Sequence, residues 1–210
     1  MKDLIIVGAG GFGRELLQII KEVNKTKATW NIKGFIDDNL KALDKYECDY
    51  EVIGTIKDYS PSEGEVLACA VANPMMKESI IGSLKLKGAT FTSIVHPDAM
   101  ISDFVELGKG LIVYRGAMIG PNVKIGDFVT LLSAGIGHDA QVGDYSTISS
   151  FCDITGGVAL GKRVFLSSRV SIIPNRKIGD DVYACAGSVI MNNVRKGSKV
   201  MGYPAKKFSL

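Results

Sequence analysis

The sequence predicts a two-part chain: an α/β Rossmann-like half-domain followed by an all-β parallel β-helix. Three observations carry this. The chain opens on MKDLIIVGAGGFG, a short apolar run that breaks into glycines and then a helical pattern. Strand and helix patterns alternate up to about Thr90. After Val95 the period changes, and aliphatic residues recur every six positions. The expected boundaries are residues 1–92 for the first domain, 93–196 for the β-helix and 197–210 for a tail.

In the first part, Leu4–Val7 reads as a strand and Arg14–Val23 as a helix, with Leu16, Leu17, Ile19, Ile20 and Val23 on its apolar face. Ile32–Ile36 reads as a second strand ended by Asp37 and Asp38, Tyr50–Ile56 as a short third, and Glu65–Val71 as a buried fourth. Asn73 and Pro74 cap and start a helix that runs through Ile80, Ile81 and Leu84. Strand–helix–strand order implies a parallel sheet with helices on its faces.

In the second part, Ile101, Leu107, Val113, Ile119, Ile125 and Leu131 stand six apart, and after one five-residue step the run resumes from Ile136 to Ile178. Two positions before each aliphatic comes another small or apolar residue, such as Ala117, Val123 or Val164. Residues two apart share a face of a strand, so each hexad turns two side chains inward and then rounds a corner. Three hexads make one triangular coil of about 18 residues. The glycines that often follow the aliphatic are expected to supply positive φ at the corners. A β-sandwich would space its strands roughly 8–12 residues apart, and the strict six argues against it.

The totals narrow the function. A net charge of +3 does not call for nucleic acid or membrane binding, and no stretch is long enough to span a bilayer. Nothing at the N-terminus reads as a signal peptide, and Cys48, Cys69, Cys152 and Cys185 form no CxxC pair, so a cytoplasmic protein with free thiols is expected. Two histidines are too few for a three-histidine zinc site, and no metal is expected. Gly8, Gly10, Gly11 and Gly13, with Phe12 among them, form G-x-G-x-x-G between a strand and a helix, the setting in which the motif cradles phosphate. Fewer than 100 residues supply one half of a dinucleotide domain, so a mononucleotide diphosphate fits better than NAD. Asp37 and Asp38 end the second strand where a ribose or base would be met.

His138 is the candidate catalytic residue. It stands two after Ile136, at a corner, with Asp139 next to it. A carboxylate at Nδ1 fixes the tautomer and leaves Nε2 as a proton acceptor. Gly156 lies 18 residues on, directly stacked one coil away. The bland reading is a histidine that caps a turn. His96, before Pro97, reads as structural, Cys152 as a core residue, and Arg176 as a local irregularity whose guanidinium leaves the core.

The hexads resemble the left-handed β-helix acyltransferases. Together with GAGGFG, VHP at Val95–Pro97, GHD at Gly137–Asp139 and GYPAKKF at Gly202–Phe208, they resemble the sugar acetyltransferases of the NeuD/PglD type, over nearly the whole chain. That resemblance implies a left-handed coil, acetyl-CoA as cosubstrate and a nucleotide-sugar substrate held by the first domain. It also implies a homotrimer with sites between subunits, His138 and Asp139 as base and support, and Gly156, Gly187 and Lys206 on the coenzyme. Phe12, Leu132, Ser133 and Thr147 depart from the family's usual His, Asn-Thr and second His, so the sugar stays open. Transfer to a sugar amine is the leading expectation. Transfer to a hydroxyl, or a non-catalytic nucleotide-sugar scaffold, are the alternatives.

Overall fold

The computed structural model describes residues 1–208 and divides into two units, Met1–Pro97 and a second from Asp98 onward. In the first unit the order is β1 (Lys2–Val7), α1 (Gly11–Thr26), β2 (Trp30–Ile36), β3 (Val52–Gly54), β4 (Val66–Cys69) and α2 (Pro74–Leu86). The sheet is parallel in the order β3-β2-β1-β4. The central strand β1 is a continuous apolar run because both its faces are covered, and Leu4 to Val7 are fully buried. Leu16, Leu17, Ile19 and Ile20 of α1 are buried too, as their helical spacing predicts. Asn73 caps α2 as expected, its side chain accepting from the amide of Met76 at 3.1 Å, with Pro74 opening the helix.

The chain leaves β1 toward β2 on one side, while β4 lies on the other. The order reverses at the C-terminal end of β1, and a crevice opens there in sheets of this kind. GAGGFG occupies that end. The first unit continues to Pro97 because Thr92 donates its amide to Leu67 and His96 Nε2 meets Glu22 at 2.9 Å. His96 is buried in that contact, a structural role.

The second unit is a left-handed parallel β-helix of strands two or three residues long in three sheets. Strands pair one coil apart: Glu106 opposite Lys124, Gln141 opposite Ala159, Gly135 opposite Asp153. Where the five-residue step falls the offset drops by one, with Met118 opposite Gly135 and Thr130 opposite Thr147. Ile119, Ile136, Ile154, Ile172 and Ile190 stack inside one face, each buried and each contributing about 1.5–3 kcal/mol by burial. Cys152 is buried with them, and its thiol donates to the carbonyl of Ser167 at 3.1 Å. Arg176 turns out of the core, its Nε donating to the carbonyl of Pro174 at 3.1 Å.

The corner glycines need another explanation than the sequence suggested. Gly108, Gly120, Gly137 and Gly143 do not adopt positive φ. They are glycines because a Cβ on Gly108, Gly137 or Gly143 would stand 2.5–2.7 Å from the backbone of the next coil. The left-handed conformation falls two residues later and is carried mostly by other residue types: Phe104, Asn122, Asp139 and Asn175 at one corner, Phe128, Tyr145, Arg163 and Asp181 at another. Such residues cost on the order of 1–3 kcal/mol each. Contacts between coils offset it, as where the rings of Phe128 and Tyr145 stack at 5.5 Å and where Arg163 Nε donates to Asp181 at 2.6 Å.

Candidate active site

The corner that follows Ile136 carries His138 and Asp139. Left-handed backbone at Asp139, φ 59°, folds its carboxylate back toward the preceding residue instead of to the opposite face. His138 Nδ1 meets Asp139 Oδ2 at 2.7 Å. Asp139 Oδ1 accepts from the Asn122 amide, 3.2 Å away on the previous coil. The hydrogen bonds from His138 and Asn122 hold the Asp139 carboxyl below its ordinary range, so it is ionised at neutral pH. In a neutral imidazole this contact favours the tautomer with the proton on Nδ1, in which Nε2 is the acceptor. The imidazole is 67% exposed, and Nε2 meets no partner among the described residues.

Gly156 lies beneath the ring. A Cβ there would stand 2.5 Å from His138 Nε2 and 2.6 Å from Cε1, so only glycine lets the imidazole lie as it does. Gly157 donates its amide to the His138 carbonyl at 2.9 Å, which locks the two coils in register at this point. The amide of Gly156 itself has no acceptor among the described residues. At the next corner of the prism three equivalent amides are taken. Those of Lys109, Asp127 and Lys162 donate at 2.8–3.0 Å to Asp127, Asp144 and Asp180, each one coil further on.

The other expected coenzyme residues do not join this cluster within one chain. Gly187, φ 69°, belongs to the corner that follows Ala184, a different edge of the prism, and donates to the carbonyl of Ser168. Lys206 is exposed on a two-residue strand antiparallel to Val200–Met201. Ser133 donates to the carbonyl of Arg115 at 2.8 Å, and Thr147 is buried.

In the first unit the four glycines of GAGGFG divide by cause. Gly8 has φ 99° and a Cβ there would come 3.0 Å from the carbonyl oxygen of Ala70, while a Cβ on Gly13 would run into the carbonyl of Gly8. Packing demands both. Gly10 and Gly11 meet no such limit: neither has positive φ, no atom crowds the Cβ position of Gly10, and only the tip of Arg14 comes within 4.0 Å of that of Gly11. Their amides open α1 and have no acceptor among the described residues. Asp37 works from within, accepting from Ala9 at 2.8 Å and from Asn39 at 2.9 Å. Asp38 accepts from Lys57 at 3.1 Å. Phe12 is half-buried in the first turn of α1.

Two residues of these sites escaped the sequence reading. Asn122 carries a readable signal, since it stands three residues after Ile119 as Asp139 stands three after Ile136. Arg14, which lies against Tyr46, carries none. No group of three or more histidine, cysteine or acidic side chains able to hold a metal occurs among the described residues. No helix among them is long and apolar enough to cross a membrane.

Residues 3–84 match the family described as PglD N-terminal domain. The GDP-perosamine N-acetyltransferase of Escherichia coli O157:H7 is 29% identical over 212 residues, covering 96% of this chain and 94% of the relative. The acetyltransferase domain of PglB from Neisseria gonorrhoeae, solved with acetyl coenzyme A, superposes with a TM-score of 0.87 at 25% identity, covering 99% of both chains. PerB from Caulobacter crescentus, solved with CoA and GDP-perosamine, gives a TM-score of 0.87 at 22% identity, covering 100% and 98%, a likeness of fold. The fold is the left-handed β-helix built on hexapeptide repeats. Within that fold the chain is similar to the sugar acetyltransferases of the PglD type, whose N-terminal domain its residues 3–84 match.

Proposed function

We propose that this protein transfers the acetyl group of acetyl-CoA directly to the amine of a nucleotide-linked amino sugar, with His138 as general base. The observation that carries the reading is the imidazole stacked over Gly156, with Nε2 open and a free amide beside it. His138 Nε2 takes the proton as the amine nitrogen bonds to the acetyl carbon, and it returns that proton to the departing thiolate. The Gly156 amide faces the acetyl oxygen, where negative charge develops. Asp139 holds the tautomer and supports the imidazolium, and Asn122 positions Asp139. No acyl-enzyme forms. The relative from Escherichia coli, similar over nearly its whole length, is named for amine acetylation on a GDP-linked sugar, which favours nitrogen over a hydroxyl as the acceptor.

Gly10 and Gly11, with Asp37 and Asp38 at the end of β2, form the proposed seat of the nucleotide diphosphate. Gly187 and Lys206 lie away from the His138 edge, so one chain alone does not surround a thioester at His138. A homotrimer resolves this by setting one subunit's His138 edge against a neighbour's Gly187 edge. Met100, Met118 and Phe151, exposed at 59%, 51% and 67%, supply the apolar surface such packing needs. The reading places the protein in the cytoplasm, with its substrates.

A thiol-release assay with acetyl-CoA against GDP- and UDP-linked amino sugars and their hydroxyl counterparts tests it. Turnover is expected only with an amine, and His138→Ala should lower kcat by about 10²–10⁴-fold. Unchanged turnover in His138→Ala removes the base.

A further inference from the structure

Arg14 is held by an aromatic ring and not by an anion. Arg14 stands in the first turn of α1, and its guanidinium lies on the ring of Tyr46, Cζ 3.4 Å from the centroid. Its Nε is buried with no hydrogen-bond partner, and the guanidinium has no ion pair among the described residues. Nη2 comes 4.0 Å from the point where a Cβ on Gly11 would stand. Arg14 is thus held beside Gly11, in the same turn as the open amides of Gly10 and Gly11. The other cation on this side of α1, Lys21, is already paired with Asp49.

The surroundings say what is missing. Arg14, Gly11, Gln18 and Lys21 line a cavity of about 790 Å³ with Glu15 and Glu47. Neither glutamate closes an ion pair with Arg14, although both are near enough to line the same space. Their charges weaken any general attraction for anions, so affinity has to come from the geometry of the fork. Stacking on Tyr46 fixes the guanidinium plane and reduces the rotamer freedom that binding would otherwise remove. A planar fork at the glycine turn that opens a helix suits a group with several acceptor oxygens on adjacent centres, as in a diphosphate.

We propose that Arg14 binds the diphosphate of the nucleotide-linked sugar, acting with the Gly10 and Gly11 amides, and that Tyr46 positions its guanidinium. This rests on the reading of the first unit as the nucleotide-sugar site. Full-length protein titrated calorimetrically with GDP and with UDP, alongside steady-state kinetics, tests it. Arg14→Gln should weaken binding of the preferred nucleotide by roughly 10- to 100-fold and raise the sugar-nucleotide KM in parallel. Its kcat at saturation and its KM for acetyl-CoA should hold. Tyr46→Leu should weaken nucleotide binding by a few fold, on the order of one cation–π contact, and Tyr46→Phe should restore it. Arg14→Gln that binds both nucleotides like the parent overturns the inference and leaves the nucleotide reading standing. A parent protein that binds neither GDP nor UDP overturns both. Equal losses for nucleotide and acetyl-CoA in Arg14→Gln mark a structural residue and also overturn it.

Discussion

A methyl group on Gly156 probes the catalytic corner through a single contact. The added Cβ would stand 2.5 Å from His138 Nε2. Carbon and nitrogen settle at about 3.5 Å, so the ring has to move by about 1 Å. The backbone permits the change, because Gly156 is not at positive φ. The imidazole is 67% exposed and swings outward without opening the core, so the stability change stays within about 0.5 kcal/mol. A displacement of that size costs on the order of 10² in rate, and outright loss of the base sets an upper bound of about 10²–10⁴. Gly156→Ala should therefore lower kcat by roughly 100-fold with both KM values little changed. The assay is steady-state thiol release, with His138→Ala and the double variant as comparators. The double variant should be no slower than His138→Ala alone, because the methyl acts through the ring. Near-normal turnover in Gly156→Ala refutes the argument. So does a double variant slowed again by the full factor, since the methyl would then act on something other than the imidazole.

The glycine loop offers a contrasting pair. Gly13→Ala sets a Cβ against the Gly8 carbonyl and should cost about 1–3 kcal/mol in thermal or urea unfolding. Gly10→Ala enters open space and should leave stability within about 0.5 kcal/mol while weakening GDP or UDP binding; equal effects on stability would sink the distinction. Burial drives the Lys77 ammonium down to about 7, so from there to its ordinary 10.5 the unfolded chain holds a proton that the folded chain lacks. Stability should rise with pH across that window, by at most about 1.4 kcal/mol per unit, and Lys77→Met should flatten the rise in urea unfolding between pH 7 and 9. Above that range burial of Cys69, its thiol pushed up to about 11, works the other way; an unchanged slope in Lys77→Met refutes the assignment.

The six-residue spacing made the β-helix legible because one side chain per strand must enter a narrow core, and no other arrangement tolerates so strict a period. His138 and Gly156 were legible together for the same reason, since a known coil length turns sequence separation into stacking. The glycines misled in part. A glycine that serves positive φ and one that serves close approach look alike in a sequence, and only the neighbouring coil distinguishes Gly137 from Gly157. Asp37 shows the same limit: its carboxylate turns inward to Ala9, a contact decided by how β1 and β2 end side by side. Arg14 and Tyr46 meet only because the loop after β2 folds back over α1, and neither residue's local pattern records it.

A repeat also shows where function departs from structure, because each corner supplies controls for the others. Equivalent turns present the same amide to the same place, and the stable solution is visible where Asp127, Asp144 and Asp180 each accept it from the coil before. At the His138 edge that solution is absent: the position one coil beyond His138 holds Gly156, which has no side chain with which to accept, and its own amide stays open. A chain selected for stability alone has a ready device for this corner and uses it on the next one. Leaving it out here, and setting an imidazole in the space, forgoes an ordinary hydrogen bond of about 0.5–1.5 kcal/mol per corner. The amide and Nε2 are thereby left open on one side of the corner to something that arrives from outside the chain.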